Sequence, residues 1–185
     1  LVDSERITAR VFSAMLGELG LTMSRDDMFQ HFVGQSMSRC LHIIHELLGR
    51  PAPDDFVPNL RARAAQALFE EVTPVDGVVD VLDALPVPYC VASAGERLKM
   101  QLTLGKTGLW NRFEGRVFSV EDVVNPKPAP DVYLLAAETL GIAPGRCAVI
   151  EDSTTGVAAG VAAGMTVFGF TADVPANRLQ DAGAH

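Results

Sequence analysis

Cys147-Ala-Val-Ile-Glu151-Asp152-Ser153-Thr-Thr-Gly156 is the stretch that decides the fold: an apolar run stops on two carboxylates and passes directly into helical sequence, Thr155 to Ala163. A wholly apolar strand followed at once by a helix belongs to a parallel sheet, whose strands are buried on both faces. The pattern recurs on either side of it. Candidate strands Tyr89–Ser93, Arg116–Ser119 and Thr166–Phe170 alternate with candidate helices Gly77–Leu85, Glu96–Lys106 and Ala129–Leu140. Such alternation predicts an α/β core, a Rossmann-like doubly wound parallel sheet.

Ahead of Pro74 the sequence is helical throughout. Val11, Met15, Leu16 and Leu19 line one face of a helix over Arg6–Leu19 that ends at Gly20. Ser24 opens a second helix, Ser36 or Ser38 a third that ends at Gly49, and Asp54–Glu71 forms a fourth. The expected organisation is a core from residues 1–4 and 75–185, with a four-helix segment, 5–74, inserted between them.

The 185 residues carry 23 acidic and 15 basic side chains, a formal charge of −8. That balance argues against nucleic acid or an anionic membrane as partner, since both need clustered Lys and Arg. No apolar run approaches the ~20 residues of a membrane span. Cys40, Cys90 and Cys147 are scattered among apolar neighbours and read as buried, reduced thiols, which fits a cytoplasmic protein. Monomeric behaviour is the default expectation.

Ligands of an open parallel sheet bind beyond the carboxyl ends of its strands. Three polar features stand there. Ser93, with the amides of Ala94 and Gly95 behind it, could hold a phosphoryl oxygen, although an isolated serine is more often a helix N-cap. Lys127, between Pro126 and Pro128, could place a fixed ammonium against phosphoryl charge, or could be a solvated surface lysine. Glu151 and Asp152 would repel each other unless a cation is present, and hard oxygen ligands suit Mg2+. Their ordinary reading is an N-cap for the next helix. Together, a Ser, a Lys and an acidic pair at successive strand ends point to a phosphate-and-metal constellation.

These residues resemble the haloacid dehalogenase superfamily, in the subfamily of β-phosphoglucomutases and phosphoglycolate phosphatases with a helical cap after the first strand. The matching segments are Leu1-Val-Asp-Ser-Glu5, Val91-Ala-Ser93, Lys127-Pro-Ala-Pro-Asp131-Val-Tyr133 and Glu151-Asp-Ser-Thr-Thr-Gly156. The resemblance implies that Ser93, Ala94 and Lys127 bind the transferring phosphoryl group. It implies that Glu151 and Asp152 hold magnesium and that residues 5–74 form the cap, with Gly34, Arg39 and His42 as candidates to face a small phosphorylated substrate. It also implies an Asp-x-Asp motif directly before Leu1, ending a central strand between Tyr89–Ser93 and Ala148–Glu151. That first aspartate would be the nucleophile and the second the general acid/base. With no initiator Met at Leu1, both the motif and its strand are expected to precede the chain as given. Leu179–His185 is expected to approach a further strand.

Within the family, the acidic pair favours phosphate and metal over carbon–halogen cleavage, and no lysine before Lys99 is available for the Schiff base of the phosphonate-cleaving branch. Gly34-Gln35-Ser36 resembles the cap loop of the mutases, but Met37 stands where they carry Arg and Thr8 where they carry His. A thioether cannot grip a second phosphate, so hydrolysis of small phosphorylated sugars or sugar acids is expected over their isomerisation. A nucleophile-free module that merely holds such ligands is the remaining alternative.

Overall fold

The computed structural model describes residues 1–32 and 35–185, and the side chains of all of these except Arg25, Asp26, Phe29 and Gln30. The chain divides into two compact units: Leu1–Val81 with Leu102–Thr107, and Leu82–Gln101 with Gly108–His185.

The first unit is built on helices α1 (Glu5–Glu18), α2 (Arg25–Phe32), α3 (Met37–Leu48) and α4 (Phe56–Glu71), each within two residues of its expected bounds where these were assigned. Their apolar faces meet around Leu16, Ile44 and Phe56, with Phe12 set edge-on to Phe32 at 5.1 Å between ring centroids. Ser36 caps α3 by accepting from the Arg39 amide at 3.2 Å. At the other end Gly49 takes φ +67°, the left-handed conformation that closes a helix and that side chains resist. Asp3 N donates to Thr73 O at 3.1 Å, and Val2 bridges Pro74, so the two ends of this helical segment are tied together.

In the second unit, β1 (Val91–Ala92) pairs in parallel with β2 (Val117–Phe118). β3 (Ala148–Glu151) pairs in parallel with β4 (Thr166–Gly169), from Ala148↔Thr166 to Glu151↔Gly169. Among the described residues β1 and β3 do not pair with each other, and the sheet is two parallel pairs. Helices α5 (Val78–Ala84) and α6 (Arg97–Lys106) run across the division into units. Helices α7 (Asp131–Leu140), α8 (Thr154–Ala162) and α9 (Ala176–Asp181) lie within the second.

The core of this unit joins Val132 and Ala136 of α7 and Val157 of α8 to Val149 and Val167 of the strands. α8 comes close to β3 and β4 at Gly160, where an added Cβ would lie 2.7 Å from Val167 Cγ2. Strand alternation sends Ile150 and Phe168 to the opposite face, where they partner each other in register and stay 71% and 50% exposed. The expectation of cover on both faces therefore holds for one face of this pair. His185 donates its amide to Val167 O at 2.9 Å and accepts from Gly169 N at 3.3 Å, a parallel arrangement alongside β4. Cys40 is buried as expected, whereas Cys90 and Cys147 are only half-buried; all three are free thiols.

Candidate active site

The site grows from the carboxyl end of β3. Glu151 is its last residue, and the proline-flanked loop before α7 brings Lys127 onto it. Asn125 Nδ2 donates to Asp131 Oδ1 at 2.9 Å, closing that loop over the first turn of α7. The Lys127 ammonium has three donors, and all are used: on Glu151 Oε1, on Tyr133 Oη at 2.8 Å and on Ala92 O of β1 at 3.1 Å. It also sits over the Tyr133 ring, 4.5 Å from the centroid. The Lys127 and Glu151 side chains are 7% and 10% exposed. Lys127 is thus a buried tie between β1, β3 and α7, not a solvated surface lysine.

Glu151 is saturated with donors. Tyr133 Oη donates to Oε1 at 2.5 Å, while Ser153 Oγ donates to Oε2 at 3.0 Å. Burial alone would push this carboxyl up, but the Lys127 charge and the hydrogen bonds from Lys127, Tyr133 and Ser153 hold it below the usual carboxylate range. Burial, followed by the negative charge of Glu151, pushes the Tyr133 phenol far up, so it stays a neutral donor. Ser153 serves twice: its Oγ also accepts from Gly156 N at 3.1 Å and caps α8. Gly156 has to lack a side chain here, because a Cβ would overlap the Glu151 carboxyl group.

Ser93 follows β1, its amide held by Phe118 O at 2.9 Å. It is not the N-cap of α6, which begins at Arg97. Instead its Oγ accepts from Gly95 N at 3.0 Å in a tight local turn. A hydroxyl that accepts this way keeps its own hydrogen to donate. The Ala94 amide has no acceptor among the described residues, so Ser93 and Ala94 offer two outward donors. The helix end itself is less available, since Glu121 Oε2 accepts from Arg97 N at 2.8 Å.

The two carboxylates were expected to need a metal to relieve their repulsion. Lys127 already supplies that relief for Glu151, while Asp152 is exposed. Among the described residues no group of three or more His, Cys, Asp or Glu side chains is placed to hold a metal. The donor chemistry still fits magnesium, a hard cation that takes one or two carboxylates and completes its shell from water and phosphate.

The candidates within 5–74 belong to the first unit. Arg39 and His42 are exposed on α3, and His42 Nε2 pairs with Glu46 at 3.2 Å. His42 and His45 line an open cavity of about 560 Å³ within the first unit; Arg39 does not. Gly34 lies outside the described residues. Thr8 turns its hydroxyl back on its own helix, donating to Ser4 O and Glu5 O at 3.0 Å each, and Met37 is 39% exposed.

A parallel α/β unit with a buried Lys–Glu pair at its strand ends defines a class, and the comparisons give its family. The family described as haloacid dehalogenase-like hydrolase matches residues 1–170, and the chain belongs to it. It is 32% identical over 174 residues to the 6-phosphogluconate phosphatase of Escherichia coli (strain K12), covering 94% of this chain and 79% of that one. It is 30% identical over 186 residues to hexitol phosphatase A of the same organism, covering 98% and 83%. A solved haloacid dehalogenase-like protein of Agrobacterium tumefaciens superposes with a TM-score of 0.90 at 34% identity, covering 100% of this chain and 86% of that one. Among the described residues no helix is long and apolar enough to cross a membrane.

Two participants escaped the sequence reading. Tyr133 sits in the quoted Lys127–Tyr133 segment, but a spacing of six residues gives no sign that its hydroxyl returns to Lys127. Ser119, read only as a strand end, is 0% exposed and hydrogen-bonded across to the Ser93 turn; Asp122 three residues on was the available cue.

Proposed function

We propose that the protein is a phosphatase that hydrolyses phosphate monoesters of small sugars or sugar acids. The observation that carries this reading is the ammonium of Lys127, buried and locked at the ends of β1 and β3, with one of its bonds on Ala92 O, directly before the donors Ser93 and Ala94. A substrate phosphoryl oxygen would replace one of the neutral acceptors on Lys127, Tyr133 Oη or Ala92 O, while Glu151 keeps the ammonium aimed. The Ser93 hydroxyl and the Ala94 amide would hold a second oxygen. Asp152 would hold magnesium directly and Glu151, whose oxygens Lys127, Tyr133 and Ser153 occupy, through water; when bound, the ion would supply further charge neutralisation to the phosphoryl group. The attack calls for a carboxylate nucleophile of the family's Asp-x-Asp motif, with an aspartyl-phosphate then hydrolysed by water.

Hydrolysis is favoured over phosphosugar isomerisation by Thr8 and Met37. Isomerisation must retain a bisphosphate, and neither an internally bonded hydroxyl nor a thioether offers its second phosphate a charge. Sugar or sugar-acid substrates are supported by the two relatives named as phosphatases of 6-phosphogluconate and hexitols. The test is phosphate release from a panel of sugar phosphates with magnesium and with EDTA. Turnover that survives EDTA would remove the metal from the account, and interconversion of hexose phosphates as fast as hydrolysis would restore the mutase.

A further inference from the structure

The residues after β2 do more than turn the chain. Ser119, buried at 0% exposure, donates its hydroxyl to Gly95 O at 2.8 Å across 24 positions of sequence. Its Oγ accepts from Glu121 N at 3.2 Å, and its own amide donates to Asp122 Oδ2 at 2.7 Å. The side chains two and three positions on reach toward the same segment. Glu121 Oε2 accepts from Arg97 N at 2.8 Å, and both Asp122 carboxylate oxygens accept from Arg97 Nη2, at 2.7 and 2.6 Å. One short turn, 119–122, therefore grips residues 95–97 at three points.

What lies inside that grip is the turn Ser93-Ala94-Gly95. Gly95 N fixes the Ser93 oxygen, and Gly95 O is fixed by Ser119. With both polar groups of Gly95 held, the Ser93 oxygen that accepts from its amide is restrained, and with it the short Ser93–Gly95 turn that carries the Ala94 amide. Capping of residues 120–122 needs only the Glu121 and Asp122 bonds, so the bond to Gly95 is surplus to local structure.

We infer that Ser119 is a positioning residue, which sets the phosphoryl-binding turn through its hydrogen bond to Gly95 O. The inference rests on the assignment of Ser93 to phosphoryl binding. A buried hydroxyl is commonly satisfied by whatever carbonyl is nearest; here the carbonyl belongs to the residue whose amide orients Ser93.

The experiment measures the inhibition constant of inorganic phosphate, with kcat and KM for a phosphate monoester, in the full chain and in Ser119→Ala, Ser93→Ala and the double variant. Ser119→Ala is expected to weaken phosphate by about 3–10-fold, the worth of one hydrogen bond, with the circular dichroism of the parent. In the Ser93→Ala background it is expected to add less than twofold, because both changes act through one hydroxyl. If Ser93→Ala leaves phosphate inhibition unchanged, the Ser93 assignment fails and Ser119 falls with it. If Ser93→Ala weakens phosphate but Ser119→Ala does not, or adds its full effect in the double variant, Ser119 alone is overturned. Ser119→Cys, which keeps the volume but donates weakly, gives the same reading should Ser119→Ala not fold.

Discussion

The Lys127 ammonium rests on the Glu151 carboxylate with their side chains 7% and 10% exposed, joining a loop to a strand end 24 residues away. Removing one member leaves the other charged and out of water. Lys127→Ala is therefore expected to destabilise the protein by about 3–5 kcal/mol, whereas replacing both partners with Met and Gln costs less than either single change. Urea midpoints of Lys127→Ala, Glu151→Gln and the double replacement check this.

Acidification should reveal the same pair. Glu151 is held below its ordinary value of 4.5 in the folded state, so the unfolded chain takes up its proton first as pH falls. The stability this contributes is present above that value and is lost as pH drops through the folded one. Stability measured from pH 6 down to pH 3 is expected to fall less steeply in Glu151→Gln than in the parent.

Gly156 reverses a common rule. Gly→Ala within a helix ordinarily gains up to ~1 kcal/mol, and Gly156 lies in the first turn of α8. A methyl there overlaps the Glu151 carboxyl group, which its partners cannot release. Gly156→Ala is expected to lose stability and phosphate turnover together, read by thermal melting and phosphate release.

Tyr133→Phe removes one oxygen that both accepts from Lys127 and donates to Glu151. Loss of these bonds inside a buried network costs about 1–3 kcal/mol, or a melting temperature lower by several degrees in a chain of this size. A melting point unchanged within a degree would show that Lys127 and Glu151 need no third partner.

The regular elements were readable because their signals are local. Ala148–Glu151 is an unbroken apolar run before a helix cap, and the structure gives the strand those same bounds. β1 and β2 are shorter than their apolar runs, although ladder bonds from Val91 N to Arg116 O and from Ser93 N to Phe118 O extend the pairing. The 3-10 turns at Trp110–Phe113, Val120–Asp122 and Pro144–Arg146 and the six-residue α9 were missed, being too short to show a helical period. For the candidate site, residue types near strand ends singled out Ser93, Lys127 and Glu151. Which of them touch was not disclosed, because that depends on how loops separated by tens of residues converge. The same limit hid Tyr133 and Ser119, whose roles exist only through partners far along the chain.

The central claim is that Lys127 grips the phosphoryl group of a small phosphorylated sugar. Its most direct test is phosphate release from 6-phosphogluconate and hexitol phosphates by the parent and by Lys127→Ala, at a temperature where both are folded. The account predicts magnesium-dependent release by the parent and a loss of about 100-fold or more in kcat for the variant. Turnover by Lys127→Ala within a few-fold of the parent would contradict it.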